Sequence, residues 1–198
     1  IMESFSSRDV VALFKLRNAI AITKEVVQKY PDDIISNIAM AKIYELKNDY
    51  TPFSSSSDIS IINTYLNHII KLSERYLLSE NIDYISLISF FEAYYLYIFY
   101  NDVELSDQIR MYNTIFDIMR NNHSIKGQRA AKIELFRIAK EEEDYENAIK
   151  ISKEIEALSK LMDDSKAMSW LYIDLGSFYY SHYNNRSLGL EYYKKGFK

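Results

Sequence analysis

The stretch LGSFYYSHYNNRSLGLEYY, residues 175–193, decides how this chain folds. Leu175, Gly176 and Tyr179 put a large apolar residue, a small one and an aromatic on one helical stretch. A polar turn follows, and Leu188-Gly189-Leu190-Glu191-Tyr192-Tyr193 starts a second helix. Small residues let two helices approach closely, and aromatics fill the grooves around them. The stretch therefore reads as a tight antiparallel helical hairpin.

Working outward, weaker copies of the pattern recur. Leu135 and Ala148 bracket a turn at Glu143-Asp144-Tyr145. Met40-Ala41-Lys42-Ile43-Tyr44 precedes Asn48-Asp49-Tyr50, a good turn. Asn18-Ala19-Ile20 and Pro31 fit the second helix of a preceding unit. These features are those of the tetratricopeptide (TPR) hairpin, in which a proline can close the unit. The pattern is strongest at the two ends and degenerate over about 51–127. The alternative is a generic helical bundle with accidental Ala and Tyr spacing.

Helical spacing and breakers predict about nine helices. The first starts near Val10, capped by Ser7 or Asp9, and ends at Tyr30-Pro31-Asp32-Asp33, because a residue before proline avoids the α region. The second runs from about Ile34 to Lys47, where Asn48-Asp49 turns the chain. Thr51-Pro52-Phe53 and Ser54–Ser57 form a loop, and Asp58 caps a third helix to about Leu78. The fourth covers about Asp83–Asn101, and Ser106 caps a fifth to about Asn121. Asn122–Gly127 is a loop. Then come about Gln128–Glu142, Tyr145–Leu161 and Ser165–His182, and a last helix from Ser187 to the end. No strand pattern survives. The expectation is an all-α, right-handed superhelical stack of antiparallel hairpins, a single domain over 1–198.

Composition agrees. The 198 residues hold only 4 Gly and 2 Pro, too few for the tight turns of a sheet protein this long. With no Cys there are no disulfides and no thiolate metal sites, which suits a reducing cytoplasm. The net charge of −4 argues against a nucleic-acid surface on this chain. The most membrane-like run, YISLISFFEAYYLYIFY at 84–100, is rich in Tyr and carries Glu92 near its centre. It reads as a buried helix rather than a span, so no membrane partner is expected.

Catalytic chemistry has little support. His68, His123 and His182 have no second His at helical spacing, so no metal pair is expected. The run Glu141-Glu142-Glu143-Asp144 reads as a solvated helix end, since adjacent exposed carboxylates have similar environments. Four isolated glycines make no phosphate loop. The expectation is a non-enzyme with no metal and no cofactor.

Tyr94-Tyr95-Leu96-Tyr97-Ile98-Phe99-Tyr100-Asn101 resembles the aromatic run in the C-terminal domain of Rgg/MutR-type transcription regulators, a group of peptide-pheromone receptors. Tyr94, Phe99 and Asn101 match that run. Tyr95 stands where glutamate is usual and Phe91 where tryptophan is usual. Tyr145-Glu146-Asn147-Ala148 and the span from Gly176 to Gly189 resemble that family's last two hairpins. The resemblance implies a homodimeric, cytoplasmic peptide sensor that reaches DNA only through a helix-turn-helix outside this chain. With a start at Ile1 and an end inside the last helix, it implies a fragment without that domain or a C-terminal cap.

In such a stack the first helix of each hairpin lines a concave groove, where a short peptide or protein tail would lie. Register places Asn37 and Lys42 there, with Phe91, Tyr94, Tyr95 and Asn101 from the fourth helix. Ile133, Arg137 and Lys140 come from the sixth helix. Trp170, Ile173, Ser177 and Tyr180 come from the eighth. Arg137 would hold a peptide carboxylate, with an ion pair to Glu134 or Glu141 as the alternative. Asn37 and Asn101 would bind peptide amides. An adaptor for another protein's tail, or a helical appendage of an enzyme, is the competing reading.

Overall fold

The computed structural model describes residues 7–50, 56–76 and 81–197, and every regular element among them is a helix. They are α1 (Ser7–Lys29), α2 (Ile34–Tyr50), α3 (Ser56–Arg75), α4 (Tyr84–Tyr100), α5 (Leu105–Asn121), α6 (Ile125–Glu141), α7 (Tyr145–Leu161), α8 (Ser165–Ser181) and α9 (Arg186–Gly196). Within 1–104 and within 105–198, helices adjacent in sequence pack as hairpins, so the fold is all-α and built of stacked helical hairpins. It falls into two compact units, 1–104 and 105–198.

In the first unit α1 packs on α2, α2 on α3 and α3 on α4, and α2 also touches α4. The core is Met40, Ala41, Ile62, Leu66, Ile69, Phe90 and Ala93. Asp83 starts α4 by accepting from the Ser86 backbone N–H at 3.0 Å, satisfying one of the free donors of the first turn.

The second unit has a period that sequence reading missed. Helices α5, α6, α7 and α8 are each 17 residues long. They begin at 105, 125, 145 and 165, an interval of 20. Equivalent positions form buried columns: Met111, Ala131, Ile151 and Leu171; Ile115, Leu135, Ile155 and Leu175; Met119, Ala139, Ser159 and Tyr179. Within a helix these lie four apart and share one face. A hairpin thus repeats every 40 residues, longer than the 34 of a TPR.

The turns repeat as well. His123, Glu143 and Asp163 adopt left-handed φ of 56°, 58° and 51°. Each donates its N–H to the carbonyl three residues back (Arg120, Lys140 and Lys160), and the next residue donates to Met119, Ala139 or Ser159. This double closure satisfies the orphan carbonyls at the helix end. Ser124 and Asp144 then accept from Gly127 and Asn147 N–H at 3.3 Å, so one residue closes a helix and caps the next.

Several expected boundaries move. Helix α2 does not turn at Asn48-Asp49 but continues to Tyr50. Helix α3 already includes Ser56, and Asp58 lies in its first turn, gripped through both oxygens by Lys47 Nζ at 2.8 Å rather than capping. Helix α5 begins one residue before Ser106. Gly127 is not in a loop: Ser124 takes the cap and α6 starts at Ile125. A Cβ on Gly127 would stand 2.3 Å from Met119 Sδ, so this glycine serves packing. Ser7 and Asp9 lie inside α1 rather than before it. Helix α9 ends at Gly196 rather than running to Lys198, glycine being a poor helix former. Residues 51–55, which hold most of the expected loop, and Leu77 and Leu78 lie outside the described residues.

At the crossing of α8 and α9 the opening pattern does what its small residues suggest. A Cβ on Gly189 would lie 2.9 Å from Gly176 O and from the Tyr180 backbone N. The Tyr179 and Tyr192 rings stack with centroids 5.3 Å apart.

Candidate functional site

Helix α6 presents Arg129, Ile133 and Phe136 at spacings of four and three, on one face. Helix α8 presents Trp170, Leu171, Ile173 and Asp174, and Ile155 and Ser159 of α7 lie between. Together they line a cleft of about 460 Å³ in the second unit, within the size range of small-ligand sites. Its walls are largely aliphatic and aromatic. Trp170, the one tryptophan in the sequence, is 65% exposed.

The polar groups of this cleft are of two kinds. The charges are paired: Arg129 Nη1 lies 3.0 Å from Asp164 Oδ2, and Lys140 Nζ lies 3.0 Å from Asp174 Oδ2. Two other polar atoms have no partner and almost no access to water, Arg129 Nε and Ser159 Oγ. A buried donor without an acceptor is costly, so such atoms call for an explanation. Ser159 also interrupts a column that is otherwise Met, Ala and Tyr, leaving a small polar side chain where the neighbouring helices put larger or apolar ones.

Two other hollows among the described residues lack this feature. One of about 440 Å³ in the first unit is bounded by Val27, Pro31, Asn37 and His68. There Asn37 Nδ2 donates to Pro31 O at 2.7 Å, and His68 Nε2 lies 3.0 Å from the same oxygen. A smaller one of about 250 Å³ on the α5–α6–α7 side includes Lys132 and Glu154, paired at 2.6 Å.

The residues expected to face a groove divide. Ile133, Trp170 and Ile173 meet in the cleft. Arg137 does not line it: its Nε bonds Glu134 at 3.1 Å and its Nη1 bonds Glu141 at 2.8 Å. Burial opposes its charge, but these bonds outweigh that and hold its guanidinium above its ordinary value. Ser177 and Tyr180 are exposed on α8 outside the cleft, and Arg186 Cζ stands 5.6 Å over the Tyr180 ring.

In the first unit, Asn37 is buried and its amide holds the α1–α2 turn through Pro31 O and Asp33 O. Tyr94 is buried, with its hydroxyl 3.0 Å from Ser73 Oγ. Asn101 exchanges two amide hydrogen bonds with Asn63, each 2.9 Å. These three side chains serve packing because their polar atoms already have internal partners. Lys42 pairs with Glu92 at 2.7 Å, Phe91 is half-buried, and Tyr95 is exposed.

Tyr95 belongs to a stripe. Ile85, Ile88, Tyr95 and Phe99 stand exposed on α4 at spacings that alternate three and four around Glu92. That is the seam spacing of packed helix pairs.

Sequence reading missed Arg129, Phe136 and Ser159. The interval of 20 would have exposed Ser159 as the odd member of its column. Among the described residues no cluster of His, Asp and Glu could hold a metal ion, and no helix is long and apolar enough to cross a membrane. Comparisons with protein-family models, curated proteins and solved structures return no match to this chain.

Proposed function

We propose that this chain is a ligand-binding module that takes a short apolar peptide or protein tail in the α6–α8 cleft. The observation that carries the reading is that Arg129 and Ser159, which line an otherwise apolar recess, each hold a buried polar atom without a partner. Without a ligand those atoms cost stability, and a peptide can supply both the apolar side chain and the missing partners. The resemblance to Rgg/MutR-type regulators supports a sensing role, in which the peptide biases the populations of two states of a larger regulator. That role is non-enzymatic, cytoplasmic and dimeric, and DNA is reached through another domain.

Titration of the chain with apolar peptides of six to twelve residues, followed by Trp170 fluorescence and calorimetry, tests the binding reading. Saturable binding to the folded protein is expected. No response from any such peptide would refute it.

A second reading, an adaptor for a partner helix, draws on the exposed α4 stripe. The same stripe supports self-association in the first reading. The two separate by whether the purified chain is itself a dimer.

A further inference from the structure

The charges around the α6–α8 cleft sum to nothing: Arg129 is matched by Asp164, and Lys140 by Asp174. A carboxylate entering there would find the guanidinium already neutralised and the Asp174 carboxylate on the α8 side of the cleft. It would lose hydration without gaining an unpaired cation, which is unfavourable. An uncharged group with an oxygen acceptor has no such difficulty. Arg129 Nε–H can only donate, and Ser159 Oγ–H can donate as well. A main-chain carbonyl oxygen has two lone pairs to offer.

We propose that the cleft takes an uncharged apolar residue from within a peptide chain, with peptide carbonyl oxygen accepting from Arg129 Nε–H and Ser159 Oγ–H, and that it disfavours a C-terminal carboxylate. The inference rests on the peptide-binding reading above and narrows it to internal segments. It reverses the sequence-based expectation of a carboxylate held by Arg137, whose guanidinium is occupied by two glutamates. Both unpartnered atoms are buried, although their residues line the cleft, so seating the ligand requires a side-chain adjustment that opens them. Rotation of Ser159 about its single χ1 bond is the smallest such adjustment.

The test uses the whole chain and Trp170 fluorescence with three probes taken to millimolar concentrations. They are N-acetyl-Gly-Phe-Gly-amide, N-acetyl-Gly-Phe with a free carboxylate, and N-acetyl-Gly-Ala-Gly-amide. The Phe amide is expected to bind, the free acid at least about fivefold more weakly, and the Ala amide not measurably. Ser159→Ala is expected to weaken the Phe amide about fivefold, the worth of one neutral hydrogen bond. Its unfolding midpoint should stay the same or rise, because an unpaired buried hydroxyl has been removed. Loss of binding together with undiminished stability is a result that a merely structural serine would not give.

Equal or tighter binding of the free acid overturns the inference and leaves peptide binding standing. So does unchanged affinity in Ser159→Ala. If neither the Phe amide nor a mixed apolar dodecapeptide perturbs Trp170, both the inference and the reading beneath it fall.

Discussion

Glu143 holds a left-handed φ of 58° with a side chain exposed to solvent. For a residue with a Cβ that conformation costs about 1–2 kcal/mol. Glu143→Gly removes this, and glycine's extra freedom in the unfolded chain returns part of it. A net gain of up to about 1 kcal/mol is expected, seen as a higher urea midpoint. Asn63 and Asn101 make the opposite case. Asn101→Ala leaves the Asn63 amide half-satisfied and should cost about 1–3 kcal/mol. Adding Asn63→Ala should cost less than the sum of the single changes, which a double-mutant cycle reads directly. At Asp83, hydrogen bonds from Ser86, the hydroxyl first and then the backbone N–H, hold the carboxyl below its ordinary range against a small opposing effect of burial. A carboxylate depressed in the folded state stabilises it at higher pH and loses that contribution as pH falls through the folded value. Stability should therefore decline below about pH 4, and Asp83→Asn should flatten that acid limb in a pH series of melts. What the sequence left hidden at this scale was partnership. An asparagine at a helix end reads equally well as a peptide-binding amide or as half of a part-buried pair, and only the position of Asn63 decides for Asn101.

Elements were easier to read than residues. Periodicity located the helices, because a stripe of apolar residues survives small errors of register. Their ends moved where a tertiary contact overrode a local signal, as when Lys47 took Asp58 or when Met119 required the missing Cβ of Gly127. The glycines of the last hairpin were read for close approach, and α8 and α9 do meet there. Gly189 faces backbone atoms, whereas Gly176 faces mainly the Tyr193 ring, 2.8 Å from its would-be Cβ. A ring can shift and a backbone cannot do so cheaply, so Gly189→Ala should cost about 1–3 kcal/mol and Gly176→Ala distinctly less. Thermal melts of the two variants check the order. Helix α4 carries the prediction about association. If its exposed stripe joins two copies, light scattering should show a dimer for the native chain and a monomer for Phe99→Glu.

For the molecule as a whole, the sequence suggested one array, and the structure has two compact units with a core in each. The repeat that sequence reading found at the ends was the looser one. The stricter interval of 20 escaped because the columns mix Met, Ala, Ser, Ile, Leu and Tyr, which share burial but not identity. Since residues 105–198 have their own continuous columns, that segment produced alone should be helical and unfold in one cooperative step by circular dichroism. The three-residue joints have a further consequence. Where a single residue both finishes one helix and begins the next, as Ser124 and Asp144 do, those junctions are interchangeable. An in-frame duplication of one hairpin would then lengthen the protein without rebuilding such a joint, and drift in a spare copy would be a ready route to new recesses like the one between α6 and α8.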